Sequence, residues 1–162
     1  MAHNQAPAPA RPAIRINAGA SAQSTDAAGN VWLPDSGFTG GETVDRDADM
    51  TIEGANDPAV YRSEHYGMTA FSLAVPNGKY TVKLHFAETS SAVSGAGERV
   101  FSINVEGHDI KNLDVWSKSG GPKHALVETV NGVNVTDGKL DITFTADTQN
   151  PEINAIEIIP AS

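Results

Sequence analysis

Acidic and basic side chains that could form catalytic pairs occur in three places along the chain. Glu64–His65 are adjacent, His85 lies close to Glu88, and Asp45–Asp49 contains aspartates at alternate positions. General acid–base catalysis needs such groups side by side with shifted pKa values. None of the three segments supplies a nucleophile triad or a poised pair of carboxylates. We therefore predict that the chain is not an enzyme and that His85, on the outward side of its strand, has a structural role.

The Asp45–Asp49 segment also begins like a calcium loop, because its carboxylates alternate. A loop of the EF-hand type needs a glycine at its sixth position and a glutamate at its twelfth. Met50 and Asn56 occupy those positions here. We therefore predict a plain acidic loop and no cofactor, and we leave open a structural calcium ion held by scattered loop oxygens.

Sugar recognition needs a different set of groups, and the predicted loops contain them. An aromatic ring stacks on the apolar face of a pyranose, while amide, carboxylate and hydroxyl groups bind its hydroxyls. Trp32 and Trp116 fit better as caps on the core, whereas a binding role for Tyr66 is as well supported as a packing role. The aromatic residues outside the strongly alternating runs are Trp32, Phe38, Tyr61, Tyr66 and Trp116.

Charge and composition exclude several kinds of partner. The chain has 20 acidic and 11 basic side chains and a formal charge of -9, which repels nucleic acid backbones and anionic lipids. It has no cysteine, which excludes disulfides, thiolate metal sites and cysteine nucleophiles. No apolar run is long enough to span a bilayer, and the start lacks the pattern of a signal peptide. We predict neither a nucleic acid nor a membrane partner.

The first residues differ in composition from the rest of the chain. Residues 1–12 are rich in alanine and proline, which is typical of an extended linker or a cloning remnant. Residues 13–162 fit one domain that can bury its own core. The 15 glycines and 9 prolines favour many short strands joined by tight turns.

Alternating apolar residues predict the main strands. Two alternating runs flank Asn77-Gly78, a dipeptide that suits the tight turn of a β-hairpin, so we predict a hairpin there. Asp137-Gly138 similarly predicts a second hairpin that joins residues 125–135 to the run after it. Residues 19–56 are polar and glycine-rich, which predicts a long loop. Further strands are predicted at Ile14–Ala18, Val100–Val105, Ile110–Trp116 and Ile153–Ile159.

No segment combines a 3.6-residue period with helix caps, and no repeat of solenoid length is present. We therefore predict an all-β fold, a two-sheet antiparallel β-sandwich that is jelly-roll-like, with about eight strands. The two termini are expected to run side by side.

Several segments, in the same order along the chain, resemble the malectin family. The most specific are the NGKYTVKLHFAE run and a Y-x-x-E-x-Y element that ends at Tyr66. The resemblance runs from Ile14 to Pro160. It implies a β-sandwich that binds oligosaccharides in a cleft between loops, as bacterial carbohydrate-binding modules of family 57 do. The matching segments are Ile16–Gly19, Gly29–Trp32, Val60–Gly67, Asn77–Glu88, Arg99–Phe101 and Asn150–Ile158.

The resemblance also implies which residues contact the sugar. Tyr66 matches a sugar-contacting tyrosine of the family, and His65 replaces the arginine that precedes it. Thr89–Ser91 replace the aromatic residues expected after the F-A-E triplet, and Gln149 replaces an aspartate before the Asn-Pro step. No tyrosine is present between Glu42 and Asn56 to match another family contact. The predicted carbohydrate-binding residues are Tyr66, His65, Glu88, Ser90, Gln149 and Asn150.

These inferences lead to one functional hypothesis and two alternatives. The first is a carbohydrate-binding module that binds oligo- or polysaccharide and targets an appended glycoside hydrolase, as a monomer within a larger secreted, periplasmic or cell-surface protein. The main alternative is a structural or protein-docking sandwich that has lost sugar binding, which the missing aromatic residues favour. A hydrolase is the least favoured, because no residue set supplies the chemistry.

Overall fold

The computed structural model describes residues 11–161. The predicted linker, residues 1–12, therefore lies outside the described residues except for its last two positions. The Arg11 guanidinium lies 4.7 Å from the centroid of the Tyr80 ring. It also donates to the carbonyl oxygens of Lys79 and Ala161, so Arg11 packs against the domain.

The described residues form fourteen β-strands and two short helices. The helices are a 3-10 helix at Pro58–Tyr61 and α1 at Val115–Ser119. The strands are β1 (Ile14–Asn17), β2 (Ser24–Thr25), β3 (Val31–Trp32), β4 (Phe38–Thr39), β5 (Glu42–Asp45), β6 (Ser63–Tyr66), β7 (Ala70–Ala74), β8 (Gly78–Phe86), β9 (Val100–Val105), β10 (His108–Leu113), β11 (Leu126–Val135), β12 (Lys139–Thr148), β13 (Glu152–Ile153) and β14 (Ala155–Pro160).

Two antiparallel sheets enclose the apolar core, which confirms the predicted all-β sandwich. One sheet has the strand order β1-β14-β8-β11 and the other β10-β9-β12-β7-β4. These nine strands are close to the eight predicted, and two small sheets, β13-β6-β5 and β2-β3, add the others. Phe86 and Phe101, one from each large sheet, meet with ring centroids 5.9 Å apart. Ile14 pairs with Ile158, so the two ends of the domain run side by side as predicted.

Neither hairpin predicted from a turn sequence forms. β7 pairs with β12 and β4, whereas β8 pairs with β14 and β11, so Asn77-Gly78 carries the chain between sheets. Asp137-Gly138 makes the same kind of crossing from β11 to β12. The turns bind each other, because Asn77 Oδ1 accepts from the Gly138 N–H at 2.7 Å. Alternating apolar residues specify which side of a strand faces the core. A turn that carries the chain from one sheet to the other keeps those sides facing the core as well as a hairpin turn does.

A hairpin does form between β9 and β10. Its two turn residues, Glu106 and Gly107, both have positive φ angles, 45° and 90°, as a tight turn matched to strand twist requires. The strand predicted at Ile110–Trp116 instead spans His108–Leu113. Asp114 ends it by capping α1, since its carboxylate accepts from the Ser117 N–H at 3.1 Å.

The strand predicted at Ile153–Ile159 is divided at Asn154, which is fully buried. The Asn154 side-chain oxygen accepts from the Ala87 N–H at 2.8 Å, and its amide donates to the carbonyls of Tyr61 and Ser63. This buried amide holds the point where the chain leaves the small sheet for the large one.

The segment at residues 19–56, predicted as a long loop, contains four short strands: β4 joins the edge of one large sheet, β5 pairs with β6, and β2 pairs with β3. Trp32 and Tyr61, each 5% exposed, are buried in a second and smaller apolar cluster with Ile52 and Val60. Trp116 is half-buried in α1. Within residues 11–161, no helix has the length and apolarity that a membrane crossing requires.

Candidate functional site

A cleft with a volume of about 290 Å³ opens beside the small sheet β13-β6-β5. Segments distant in sequence line it: β5, the end of β6, the residues after β8, the start of β9 and the turn before β13. We call it the Tyr66 cleft. Its lining residues are Val44, Arg46, Glu64, Tyr66, Ser90, Ala92, Arg99, Gln149 and Asn150.

Tyr66 is the last residue of β6 and is half-buried at the cleft. Its hydroxyl donates to Glu42 Oε2 at 2.9 Å, and this hydrogen bond raises the pKa of the phenol. β5 approaches so closely that a Cβ on Gly41 would lie 2.1 Å from the Tyr66 carbonyl oxygen. Gly41 also has a φ of +79°, so only glycine fits at this point.

One wall of the cleft is held by charged hydrogen bonds. Arg46 donates to Glu64 Oε1 at 2.8 Å and to Thr89 Oγ1 at 3.1 Å. The Thr89 hydroxyl donates to the same Glu64 oxygen at 2.7 Å. Glu64 is 1% exposed, so this network fixes a carboxylate at the base of the cleft.

A second ion pair lies beneath the opposite wall. Arg99 Nε donates to both oxygens of Glu88, at 3.0 and 3.1 Å, and the guanidinium also binds the Asn150 carbonyl oxygen. Burial raises the pKa of Glu88, and the positive charge of Arg99 acts against that rise. Arg99 therefore ties the loop after β8 to the turn that carries Asn150.

Glu152 lies directly opposite Tyr66 in the pairing of β13 with β6 and is fully buried. Among the described residues, no donor binds either of its carboxylate oxygens. Burial raises its pKa well above the usual range, and the nearby charges of Glu64 and Glu88 add to the rise. Its burial beside two other carboxylates therefore favours the protonated form of Glu152.

The turn before β13 has an unusual backbone. Gln149 adopts a φ of 63°, a region that side chains other than glycine and asparagine seldom occupy. The following residues are anchored to β6, because the Gly67 N–H donates to the Pro151 carbonyl at 2.8 Å. This anchoring holds Gln149 and Asn150 in the cleft wall.

The structure brings four of the six predicted site residues into the cleft: Tyr66, Ser90, Gln149 and Asn150. Glu88 lies beneath the wall at 1% exposure. His65 points away from the cleft, since its ring stacks on Phe38 with centroids 4.4 Å apart. Its ring nitrogens bind Asp35 Oδ1 at 3.0 Å and the Gly40 carbonyl at 2.7 Å. The binding role of all six stays a prediction.

The family model of the malectin domain matches residues 13–158. The chain belongs to the malectin domain family. The match covers both large sheets and the Tyr66 cleft.

The relatives of this malectin domain are longer proteins. A rice (Oryza sativa subsp. japonica) protein, kinesin-like protein KIN-14E, is 28% identical over 87% of this chain, which spans 14% of the rice protein. Receptor-like protein 4 from Arabidopsis thaliana is 34% identical over 52% of this chain, which spans 14% of that protein.

Solved structures share the fold at lower identity. A beta-glucuronidase from Bacteroides uniformis superimposes with a TM-score of 0.81 and 21% identity over 93% of this chain and 18% of that chain. A complex of the plant peptide RALF23 with FER and LLG2 gives a TM-score of 0.75 and 19% identity over 91% of this chain and 48% of the matched chain. At these identities the likeness concerns the fold.

Two arginines of the cleft, Arg46 and Arg99, were not among the predicted site residues of this malectin domain. Strand parity carries a signal for one of them. Arg99 continues the inward-facing positions of β9, and Glu88 continues those of β8, so the two meet as a buried pair. Arg46 follows the exposed strand β5 and offers no comparable signal.

Proposed function

We propose that this malectin domain is a non-catalytic carbohydrate-binding module, of the family 57 type, that binds oligo- or polysaccharide in the Tyr66 cleft. The observation that supports this proposal is the gathering of one aromatic ring with neutral amide and hydroxyl groups from three distant segments. Such a set matches a pyranose, which presents one apolar face and a ring of hydroxyl groups.

Each residue has a distinct task in this proposal. The Tyr66 ring stacks on the sugar, and Ser90, Gln149 and Asn150 exchange hydrogen bonds with its hydroxyls. Glu88 and His65 act as positioning residues, because they hold the walls without lining the cleft. One ring and a few neutral hydrogen bonds predict millimolar to micromolar dissociation constants, roughly 4 to 8 kcal/mol of binding free energy.

The domain works in this proposal as part of a larger exported protein. Its relatives support this context, since the chain spans only 18% of the matching beta-glucuronidase chain, and another solved neighbour is an extracellular domain of ANXUR2 from Arabidopsis thaliana. A sugar-binding module raises the local concentration of an appended glycan-active enzyme on its substrate. We expect the isolated domain to be a monomer.

Affinity electrophoresis against plant and microbial polysaccharides tests the proposal. We expect retardation by at least one polysaccharide, and Tyr66→Ala to weaken binding by about 1 to 3 kcal/mol, because the ring contact is lost. Tyr66→Phe is the matched control, since it keeps the ring and removes only the hydrogen bond to Glu42. A folded Tyr66→Ala variant that binds the retarding polysaccharide as wild type does would refute the site.

A second candidate function is docking of a peptide or protein partner. It is favoured by the fold shared with the structure of the plant peptide RALF23 in complex with FER and LLG2. The absence of aromatic residues at Thr89–Ser91 points the same way. A glycan array without a hit at millimolar ligand, together with saturable binding of a peptide, would favour docking over sugar binding.

A further inference from the structure

A second cavity, of about 330 Å³, lies on the outer face of the sheet β1-β14-β8-β11. The β2–β3 segment and the residues around the 3-10 helix cover it. We call it the Trp32 cavity, and it shares no lining residue with the Tyr66 cleft. Six of its lining residues are Asp26, Trp32, Asp57, Tyr61, Val127 and Glu157.

A chain of hydrogen bonds holds the back wall of this cavity. The Tyr61 hydroxyl lies 2.7 Å from His85 Nδ1, and His85 Nε2 lies 2.6 Å from Glu157 Oε1. The other Glu157 oxygen accepts from Arg15 at 3.0 Å. Burial raises the pKa of Tyr61 to about 12, so its hydroxyl stays neutral. The wall is thus rigid before any ligand arrives.

The side wall combines an indole with a carboxylate. Trp32 Nε1 donates to Asp26 Oδ2 at 3.0 Å, and the Trp32 ring meets the His85 ring edge-on at 6.0 Å between centroids. The hydrogen bond from Trp32 lowers the pKa of Asp26 to about 2, so this carboxylate is ionised. Val127 adds an apolar surface, with 43% of its area exposed.

The charge of the cavity is negative. Within residues 11–161 no lysine or arginine lines it, and no ion pair involves Asp26 or Asp57. Arg15 offsets only Glu157. Asp57 stands at the N-cap of the 3-10 helix, yet its side chain makes no capping hydrogen bond. Its carboxylate is therefore free to accept from a ligand.

We propose that the Trp32 cavity binds a small, single-ring organic ammonium compound, with its charged nitrogen at Asp57 and its carbon face on Val127. The volume is at the lower end for small-molecule sites, which fits one ring. An anionic ligand is repelled by the cavity and by the net charge, and a neutral one forgoes the charge-assisted hydrogen bond to Asp57.

Proton–nitrogen NMR of the whole chain tests this proposal with D-glucosamine and cyclohexylamine as single-ring ammonium probes and D-glucose as the neutral match of glucosamine. The chain has two tryptophans, so a Trp116→Phe variant assigns the Trp32 indole N–H signal. We expect at least one ammonium probe to shift that signal saturably and glucose to leave it unchanged. Equal shifts with glucosamine and glucose, or no shift with either ammonium probe, would overturn the proposal.

Two variants that each remove one negative charge distinguish a specific site at Asp57 from general electrostatic attraction to the protein. Asp57→Asn should weaken the responding probe about tenfold, the loss of one charge-assisted hydrogen bond. Asp109→Asn removes the same charge from an exposed residue of β10 and should leave affinity within about twofold, since distant exposed charges are screened. Equal effects of the two would refute the assignment. Tyr66→Ala should not alter this response, so the ammonium test at the Trp32 cavity is independent of sugar binding in the Tyr66 cleft.

Discussion

Replacing the buried acid Glu152 with glutamine should stabilise the protein at neutral pH. Glu152 is fully buried, and the carboxylates of Glu64 and Glu88 lie close enough to raise its pKa further. At pH values between the unfolded pKa and the raised folded pKa, keeping it folded therefore means holding a proton that the unfolded chain releases. A glutamine has nearly the same shape and needs no proton.

The sign and size follow from proton linkage. The folded state binds one more proton than the unfolded state at pH values above the unfolded pKa of 4.5, so stability falls as pH rises. The free energy of unfolding falls by about 1.4 kcal/mol per pH unit until the pH reaches the raised pKa of Glu152 in the folded protein. Between pH 4.5 and 7 the accumulated cost is at most about 3.5 kcal/mol, and Glu152→Gln should recover up to that amount.

Urea unfolding of wild type and Glu152→Gln at pH 5 and at pH 7 measures this difference. Titrating groups distant from Glu152 are common to both proteins and cancel in the comparison. We expect the advantage of the variant to grow from pH 5 to pH 7. Glu53→Gln, at an exposed glutamate, is the control and should show a constant difference. Parallel pH curves for wild type and Glu152→Gln would refute a proton held on Glu152.

Two further predictions concern the walls of the Tyr66 cleft, and urea or thermal unfolding checks both. Arg99→Met should cost about 3 to 5 kcal/mol, because it leaves the buried Glu88 carboxylate unpaired, whereas Lys118→Met, at an exposed ion pair, should cost no more than about 1 kcal/mol. Similar losses for the two would contradict the buried pair. Gly41→Ala should destabilise far more than Gly29→Ala, since both have positive φ but only Gly41 faces backbone within 3 Å. Equal costs would mean that β5 does not pack as closely as described.

The elements most accurately predicted from sequence were those with local causes. Alternation along Tyr80–Phe86 and Val100–Val105 placed β8 and β9 with the correct inward sides. Asp114 was missed as a cap, so the strand predicted through Trp116 ended too late. The two predicted hairpins failed because an Asn-Gly or Asp-Gly turn specifies a reversal of the chain and leaves the partner strand open.

The site was predicted in part for a similar reason. The resemblance placed Tyr66, Ser90, Gln149 and Asn150 together, and the structure brings them into one cleft. The resemblance could not show that Glu88 is buried beneath the cleft wall, because its burial depends on the ion pair with Arg99, which lies next to another strand.

The sequence alone determined that this protein is an all-β sandwich with an acidic surface, because strand periodicity, turn residues and net charge are properties of neighbouring residues and of composition. Only the tertiary structure decided which strands share a sheet, which carboxylates are paired, and that two separate cavities exist. Those features depend on side chains that are distant along the chain and are brought together by packing. Burial then changes the pKa values of these side chains and the hydrogen bonds that they need.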